Sequence, residues 1–199
     1  MAPRKDVSEA RRAQIIDAAT KVFARMGMHR ARMDDIVKES GLSKGALYWY
    51  FKSKDEIISA IITRFFDRET ENLSELVSAP GSAKERLMLL DQMISQEVAK
   101  FFKNMPSTLE LYAVAARQQG LGAGLRRYFR MYRQGLADLL RQGVEAGEFR
   151  PMDVEETATN IIALYEGLML LTAVDSESVH WEGVSEHRAR LLLQGLLKE

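Results

Sequence analysis

Apolar residues recur three and four positions apart along nearly the whole chain, and no run of β-branched residues alternates with period two. A chain patterned this way buries one stripe per segment, so the expected fold class is all-α, as packed helices. Punctuation divides the stripes. Met1–Val7 reads as a polar arm, and Ser8 is placed to cap a first helix with Ile15, Ala19, Val22, Phe23 and Met26 on one face, which Gly27 stops. A short second helix, about Met33–Ser40, buries Ile36 and Val37; Gly41 ends it, Leu42 fills the turn, and Ser43 caps a third over Lys44–Phe51. The capping box Ser53-x-x-Glu56 opens a long fourth helix to about Val77 carrying Ile57, Ile58, Ile61, Ile62, Phe65 and Phe66. After the linker Ala79-Pro80-Gly81, a stripe of Leu87, Leu90, Met93, Ile94, Val98 and Phe101 ends before Pro106. A sixth helix is expected over about Ser107–Gln118, then a break at Gly120-Leu121-Gly122 and a long seventh helix to Ala146, closed by Gly147. Asp153-x-x-Glu156 opens a very apolar eighth, Val154 to about Val174, and a ninth runs from about Ser185 to Leu197.

With 199 residues, 46% of them hydrophobic and 28% charged, the chain can bury a real core. It has no cysteine, which excludes disulfides, thiolate metal ligands and thiol redox switching. The longest apolar stretch, Ile161–Val174, is interrupted by Glu166 and Gly167 and reads as too short to span a bilayer. With no apolar signal core at the start either, the expectation is a cytoplasmic protein with no membrane partner. The formal net charge is zero, but its distribution is not even. Residues 1–54 hold twelve Lys and Arg against six Asp and Glu, a net +6, and residues 55–199 hold sixteen against twenty-two, a net −6. A basic head, 1–54, on an acidic body, 55–199, is the asymmetry expected of a chain whose one end meets a polyanion.

The head has the pattern for that task. Two short helices joined by a glycine-containing turn, the second polar and aromatic on its outer side, form a DNA-binding helix-turn-helix by pattern. Gly45 and Ala46 keep the start of the third helix slim enough for a major groove, and the Ser43 hydroxyl and first-turn amides can donate to phosphate. Lys44 supplies charge, and Tyr48, Trp49 and Tyr50 supply hydroxyls and flat rings, while Leu47 and Phe51, four residues apart, point inward. Aromatic clusters at helical spacing more often form core, but three consecutive rings cannot all face one core.

The run Gly41-Leu42-Ser43-Lys44-Gly45-Ala46-Leu47-Tyr48-Trp49-Tyr50-Phe51-Lys52-Ser53-Lys54-Asp55-Glu56 resembles the signature of the TetR family of bacterial regulators. The likeness spans about Arg11 to Ile58 and includes Phe23, Gly27 and Asp35-Ile36-Val37. It implies DNA contact by Ser43, Lys44, Gly45, Tyr48, Trp49 and Tyr50, with Ala46 and Trp49 at base edges and Lys54 on a phosphate. One departure stands out. Where the family usually has Thr or Ser at the start of the second helix, this chain has Ala31-Arg32-Met33. Arg32 retains a means of holding phosphate, but a side-chain cap is lost, at a typical cost of ~1 kcal/mol. Arg4 and Lys5 fit either a minor-groove arm or a solvated one.

For the body, the resemblance implies a homodimer built on the last two long helices, where Ile161, Leu164, Leu168, Leu171, Leu192 and Leu196 offer more apolar surface than one side of a helix needs. It also implies a small-molecule pocket among the middle helices. Met93, Gln96, Glu97, Phe101, Leu111, Tyr112, Phe129, Tyr132, Tyr165 and Met169 are its candidate lining, with Glu166 a further polar anchor; each equally fits ordinary core. The function so implied is a DNA-binding transcriptional regulator, a repressor released from a palindromic operator when a small molecule of unknown identity binds the C-terminal domain. The alternative is a regulator that answers a protein partner instead. Arg126, Arg127, Arg130 and Arg133 would receive an acidic partner there, or form a solvated face. Catalysis, cofactors and metals are not expected. His29, His180 and His187 lack metal-ligand spacing, and Gly120-Leu121-Gly122-Ala123-Gly124 lacks the spacing and preceding strand of a dinucleotide loop.

Overall fold

The computed structural model describes residues 4–104, 119–175, 177, 179 and 181–197, without the side chains of 4–6, 97–104, 119, 181–186, 188 and 189. Eight helices are described: α1 (Arg4–Met26), α2 (Met33–Ser40), α3 (Lys44–Tyr50), α4 (Lys54–Ser78), α5 (Ala83–Asn104), α6 (Gln119–Glu145), α7 (Val154–Val174) and α8 (Trp181–Leu196). The fold is all-α, and its one β-type pairing among described residues is an isolated bridge between Phe149 and Leu197. The helix expected over Ser107–Gln118 lies outside the described residues.

The structure departs from the sequence pattern in three places. The stretch from Arg4 to Val7 is helical rather than an arm. Gly120-Leu121-Gly122 is no break, because α6 begins at Gln119 and runs through it. Each glycine costs the helix up to about 1 kcal/mol, but Leu121 is buried, and burial of a leucine contributes about 1.5–3 kcal/mol. α7 has the expected bounds, Val154–Val174, but over these 21 residues it is long and apolar enough to cross a membrane by length and composition alone, where the shorter stretch Ile161–Val174 reads as too short.

The chain parts into two compact units, Met1–Phe65 with Phe101–Leu121, and Phe66–Lys100 with Gly122–Glu199. In the first, Ile15, Ala19, Val22 and Phe23 of the α1 stripe are fully buried and Met26 half-buried, and Ile36 of α2, Leu47 of α3, and Ile57 and Ile62 of α4 are fully buried. Phe51, the residue after α3, is buried with Arg12 stacked over its ring at 4.4 Å. Polar ties set the angle of α2: Gln14 Nε2 donates to the Ser40 carbonyl at 2.7 Å, and Arg25 pairs with Glu39 at 3.3 Å. Gly41 lies in the left-handed region at φ 67°, the conformation that a reversal between two short helices needs.

In the second unit, Leu73 and Leu76 of α4, Leu87 and Leu90 of α5, Leu136, Leu139 and Leu140 of α6, and Ala158 and Ile161 of α7 are buried. The start of α5 is capped from a distant loop, where the Glu148 carboxylate accepts from the Ala83 and Lys84 amides at 3.1 and 3.0 Å. Arg86 in turn donates to the Val77 carbonyl at the end of α4, at 2.7 Å. These charged groups close helix ends that would otherwise leave backbone groups without partners.

Candidate functional site

The first candidate site is the outer side of α3. Ser43 caps it, its Oγ accepting from the Ala46 amide at 3.2 Å, which leaves the hydroxyl proton for an outside acceptor. Gly45 is exposed, and a Cβ built on it would meet nothing within 4 Å. No demand of internal packing therefore explains a glycine in this helix, where it costs stability. Trp49 is 67% exposed and sits edge-on to Tyr50 at 4.6 Å between centroids. Tyr48 and Tyr50 are half-buried, while Leu47 holds α3 to the core. At the far end, Lys52 Nζ donates to the Tyr48 carbonyl at 2.6 Å and thereby caps the C-terminus of α3.

The lysines around α3 are engaged within the unit. Lys44 Nζ lies 2.8 Å from Asp34 of α2, both side chains largely exposed. The hydrogen bond and charge of Lys44 hold the Asp34 carboxyl below its usual range, and Asp34 reciprocally raises Lys44. Arg32 occupies the N-cap of α2 and is exposed; its amide donates to the Asp35 carboxylate at 3.0 Å, so the reciprocal half of a capping box survives although arginine cannot accept. Lys54, half-buried, turns its ammonium onto the loop after α1 and donates to the carbonyls of Met28 at 2.5 Å, Ala31 at 3.1 Å and His29 at 3.4 Å. A phosphate contact by Lys54 requires that it give up part of this grip.

The second candidate site is a cavity within the second unit, walled by Leu87, Met88, Leu90, Asp91 and Ile94 of α5, Tyr132 and Leu136 of α6, Ile161, Ile162 and Tyr165 of α7, and Leu192 and Leu193 of α8. The cavity volume is about 20 Å³. Nine of the walls are aliphatic. The polar remainder is concentrated: Tyr165 donates its phenol to Asp91 Oδ1 at 2.5 Å, with both residues buried. Tyr132, only 6% exposed, has a buried hydroxyl with no hydrogen-bond partner. Burial, and then the nearby Tyr128, Glu69 and Tyr165, push its pKa well above the usual tyrosine value, so it remains a neutral donor. Tyr128 stacks on Phe66 at 4.2 Å and stands 5.5 Å from the Tyr132 ring.

Residues 15–61 match the family model described as bacterial regulatory proteins, tetR family, and residues 102–198 match that described as BetI-type transcriptional repressor, C-terminal. The chain belongs to the TetR family. It is 27% identical over 204 residues to an uncharacterized HTH-type transcriptional regulator, YfiR, of Bacillus subtilis (strain 168), covering 100% of this chain and 98% of that protein. The fatty acid metabolism regulator protein of the same organism is 25% identical, over 92% of this chain and 94% of its own. Among solved structures, a TetR transcription regulator from Haloarcula marismortui matches with a TM-score of 0.83 over 96% of this chain and 100% of that one, at 17% identity. This TetR-family chain is thus a helix-turn-helix transcriptional regulator and not an enzyme.

Arg32, Ser43, Lys44, Gly45, Ala46, Tyr48, Trp49, Tyr50 and Lys54 all fall on or beside α2, α3 and the start of α4. Of the expected pocket residues whose side chains are described, the structure brings Tyr132 and Tyr165 to the cavity wall. Met93, Gln96, Phe129 and Met169 are outside that wall. Leu111, Tyr112 and the side chains of Glu97 and Phe101 lie outside the described residues. Asp91 was missed, although its signal was present: it occupies the apolar stripe Leu87, Leu90, Asp91, Ile94, where a carboxylate is out of place. Of the expected dimer face, Ile161 and Leu196 are buried inside the protomer and Leu192 lines the cavity, whereas Leu168 is half-buried and Leu164 and Leu171 are exposed.

Proposed function

We propose that this TetR-family regulator is a cytoplasmic, homodimeric repressor that leaves its operator when a small molecule enters the α5–α8 cavity. The carrying observation is the Tyr132 hydroxyl, buried without a partner in the wall of an apolar space. An unsatisfied buried polar group costs about 1–3 kcal/mol, a penalty that an incoming ligand relieves and the empty protein bears. At its present volume the cavity seats about one water, so a ligand must widen it. That requirement supplies the two states of a switch: the effector binds the widened form more tightly, and a differential of about 1–3 kcal/mol lowers operator affinity 5- to 150-fold.

At the DNA, Ser43, Lys44, Tyr48, Trp49 and Tyr50 touch phosphates and base edges, Ala46 lies at a base edge, Gly45 lets the backbone approach, and Arg32 holds phosphate from the start of α2. Lys54 acts chiefly by bracing the turn before α2. A palindromic operator needs two recognition helices about 34 Å apart, hence a second copy. The apolar side chains left exposed on α7 and α8, Leu164, Leu170, Leu171, Val174 and Leu191, support this as the surface the copies share rather than one that meets lipid.

The test is a mobility-shift titration of the purified protein on DNA from its own upstream region, across a salt series and with added candidate effectors. A salt-sensitive complex of two chains per site, dissolved by a compound that the wild type binds and a cavity-filling Leu136→Trp variant does not, is expected. Release by that compound in the Leu136→Trp variant as well would sink the cavity reading.

A further inference from the structure

We propose that Asp34 is a positioning residue for DNA specificity: it holds the Lys44 ammonium in a neutral pair that donates to the acceptor edge of a guanine in each half-site. The assignment rests on the place of α3 at the DNA proposed above and specifies one of its contacts. Lys44, the first residue of α3, lies 2.8 Å from the Asp34 carboxylate of α2, and the two side chains are 64% and 62% exposed. A second hold comes from Tyr48, one turn further along, whose ring centroid is 6.0 Å from the same ammonium. Arg32 and Lys38 act on the Asp34 carboxylate only through space, so Lys44 is its bonded partner.

An ammonium carries three donors and Asp34 takes one. The other two remain on an exposed head at the N-terminus of the recognition helix, where base edges are met. Guanine offers the matching pair of acceptors, O6 and N7, and lysine is among the side chains whose geometry suits them. The zero net charge of the pair decides between base and phosphate. A free lysine gains from any phosphate it nears by releasing a counterion, whatever the sequence. A lysine that brings its own carboxylate to the backbone gains little, because the same phosphates repel Asp34. At a base edge the hydrogen bonds decide, and a donor already held in place loses less conformational freedom on binding. Asp34 thus weakens attraction to arbitrary DNA and sharpens a contact that reads sequence.

The experiment selects binding sites from a random duplex library with the full chain, then measures affinity for the selected site and for an unrelated duplex across a salt series. The wild-type site is expected to carry a symmetric guanine whose exchange for adenine weakens binding about tenfold. Asp34→Asn is expected to cut that preference to about threefold or less. In the same variant, binding to the unrelated duplex should rise about fivefold at about 0.1 M salt, with a log–log slope steeper by about 0.9. The double variant Asp34→Asn with Lys44→Met removes a pair of no net charge, so binding to unrelated DNA should stay within about twofold of wild type while the guanine preference vanishes. A guanine preference that is absent, or unchanged in Asp34→Asn, overturns the inference and leaves Lys44 a phosphate contact. Lys44→Met alone without effect on either duplex overturns the inference and also removes Lys44 from the proposed DNA surface.

Discussion

Replacing Lys54 by methionine keeps its aliphatic stem and removes the ammonium that grips the α1–α2 turn. The wild-type contacts are at 2.5, 3.1 and 3.4 Å, so two are good hydrogen bonds and the third is marginal. A hydrogen bond to a charged group contributes about 1.5–3 kcal/mol when buried, and Lys54 is only half-buried. The two good bonds together therefore stabilise the head by about 2–4 kcal/mol. At roughly 2–4 °C per kcal/mol for a chain of this size, the melting temperature should fall by about 4–16 °C. DNA affinity, measured well below that temperature, should fall with little change in its salt dependence, because the loss is of positioning. A lysine on a phosphate behaves oppositely, with an unchanged melting temperature and a log–log salt slope flattened by about 0.9. Finding that second pattern in Lys54→Met would refute the bracing argument and restore the direct contact that the sequence alone implied.

Other perturbations separate folding from function in the same way. Gly45→Ala meets no atom within 4 Å, so the fold should be unchanged or stabilised by up to about 1 kcal/mol while operator affinity drops at least fivefold; unaltered affinity would remove Gly45 from the interface. Asp34→Asn frees Lys44 and removes a negative charge, so affinity should rise and the salt slope steepen. Because the Asp34 pKa is lowered, the wild-type pair persists through neutral pH and is lost only as pH falls through that lowered value; affinity should gain from this group only there. Tyr132→Phe should stabilise the ligand-free protein by about 1–3 kcal/mol in chemical denaturation. It should also remove a stability loss that the wild type suffers as pH rises above about 10 toward the raised Tyr132 value. Leu171→Glu, at a site 56% exposed in the protomer, should yield a folded monomer by sedimentation; a persisting dimer would place the shared surface elsewhere.

Much of this protein is written in local signals. The stripe Ile15, Ala19, Val22, Phe23 specifies one buried face because helical geometry alone brings those positions together, and all four are buried. Ser43, Gly41 and Asp153 act on backbone groups within a few residues, so the helix ends they mark are legible without knowledge of the fold. The helix-turn-helix is a contiguous segment of that kind, and its outward residues could be named from sequence.

The cavity is not contiguous. Asp91 and Tyr165 are 74 positions apart, and only the packing of α5 against α7 makes them partners. Packing likewise kept Gly120–Gly122 helical by burying Leu121, and it sorted the leucines of α7 and α8 into those buried in the core and those left exposed. It also turned Lys54 onto the Met28 carbonyl, 26 residues away, where sequence offered only a cation near a helix start. Sequence determined the helices, their apolar faces and the DNA-reading segment, because each depends on bonds and contacts a few residues long. Tertiary structure decided the cavity wall, which leucines of α7 and α8 stay exposed and where the Lys54 ammonium rests, because these depend on which of several compatible faces meet, and long-range burial alone makes that choice.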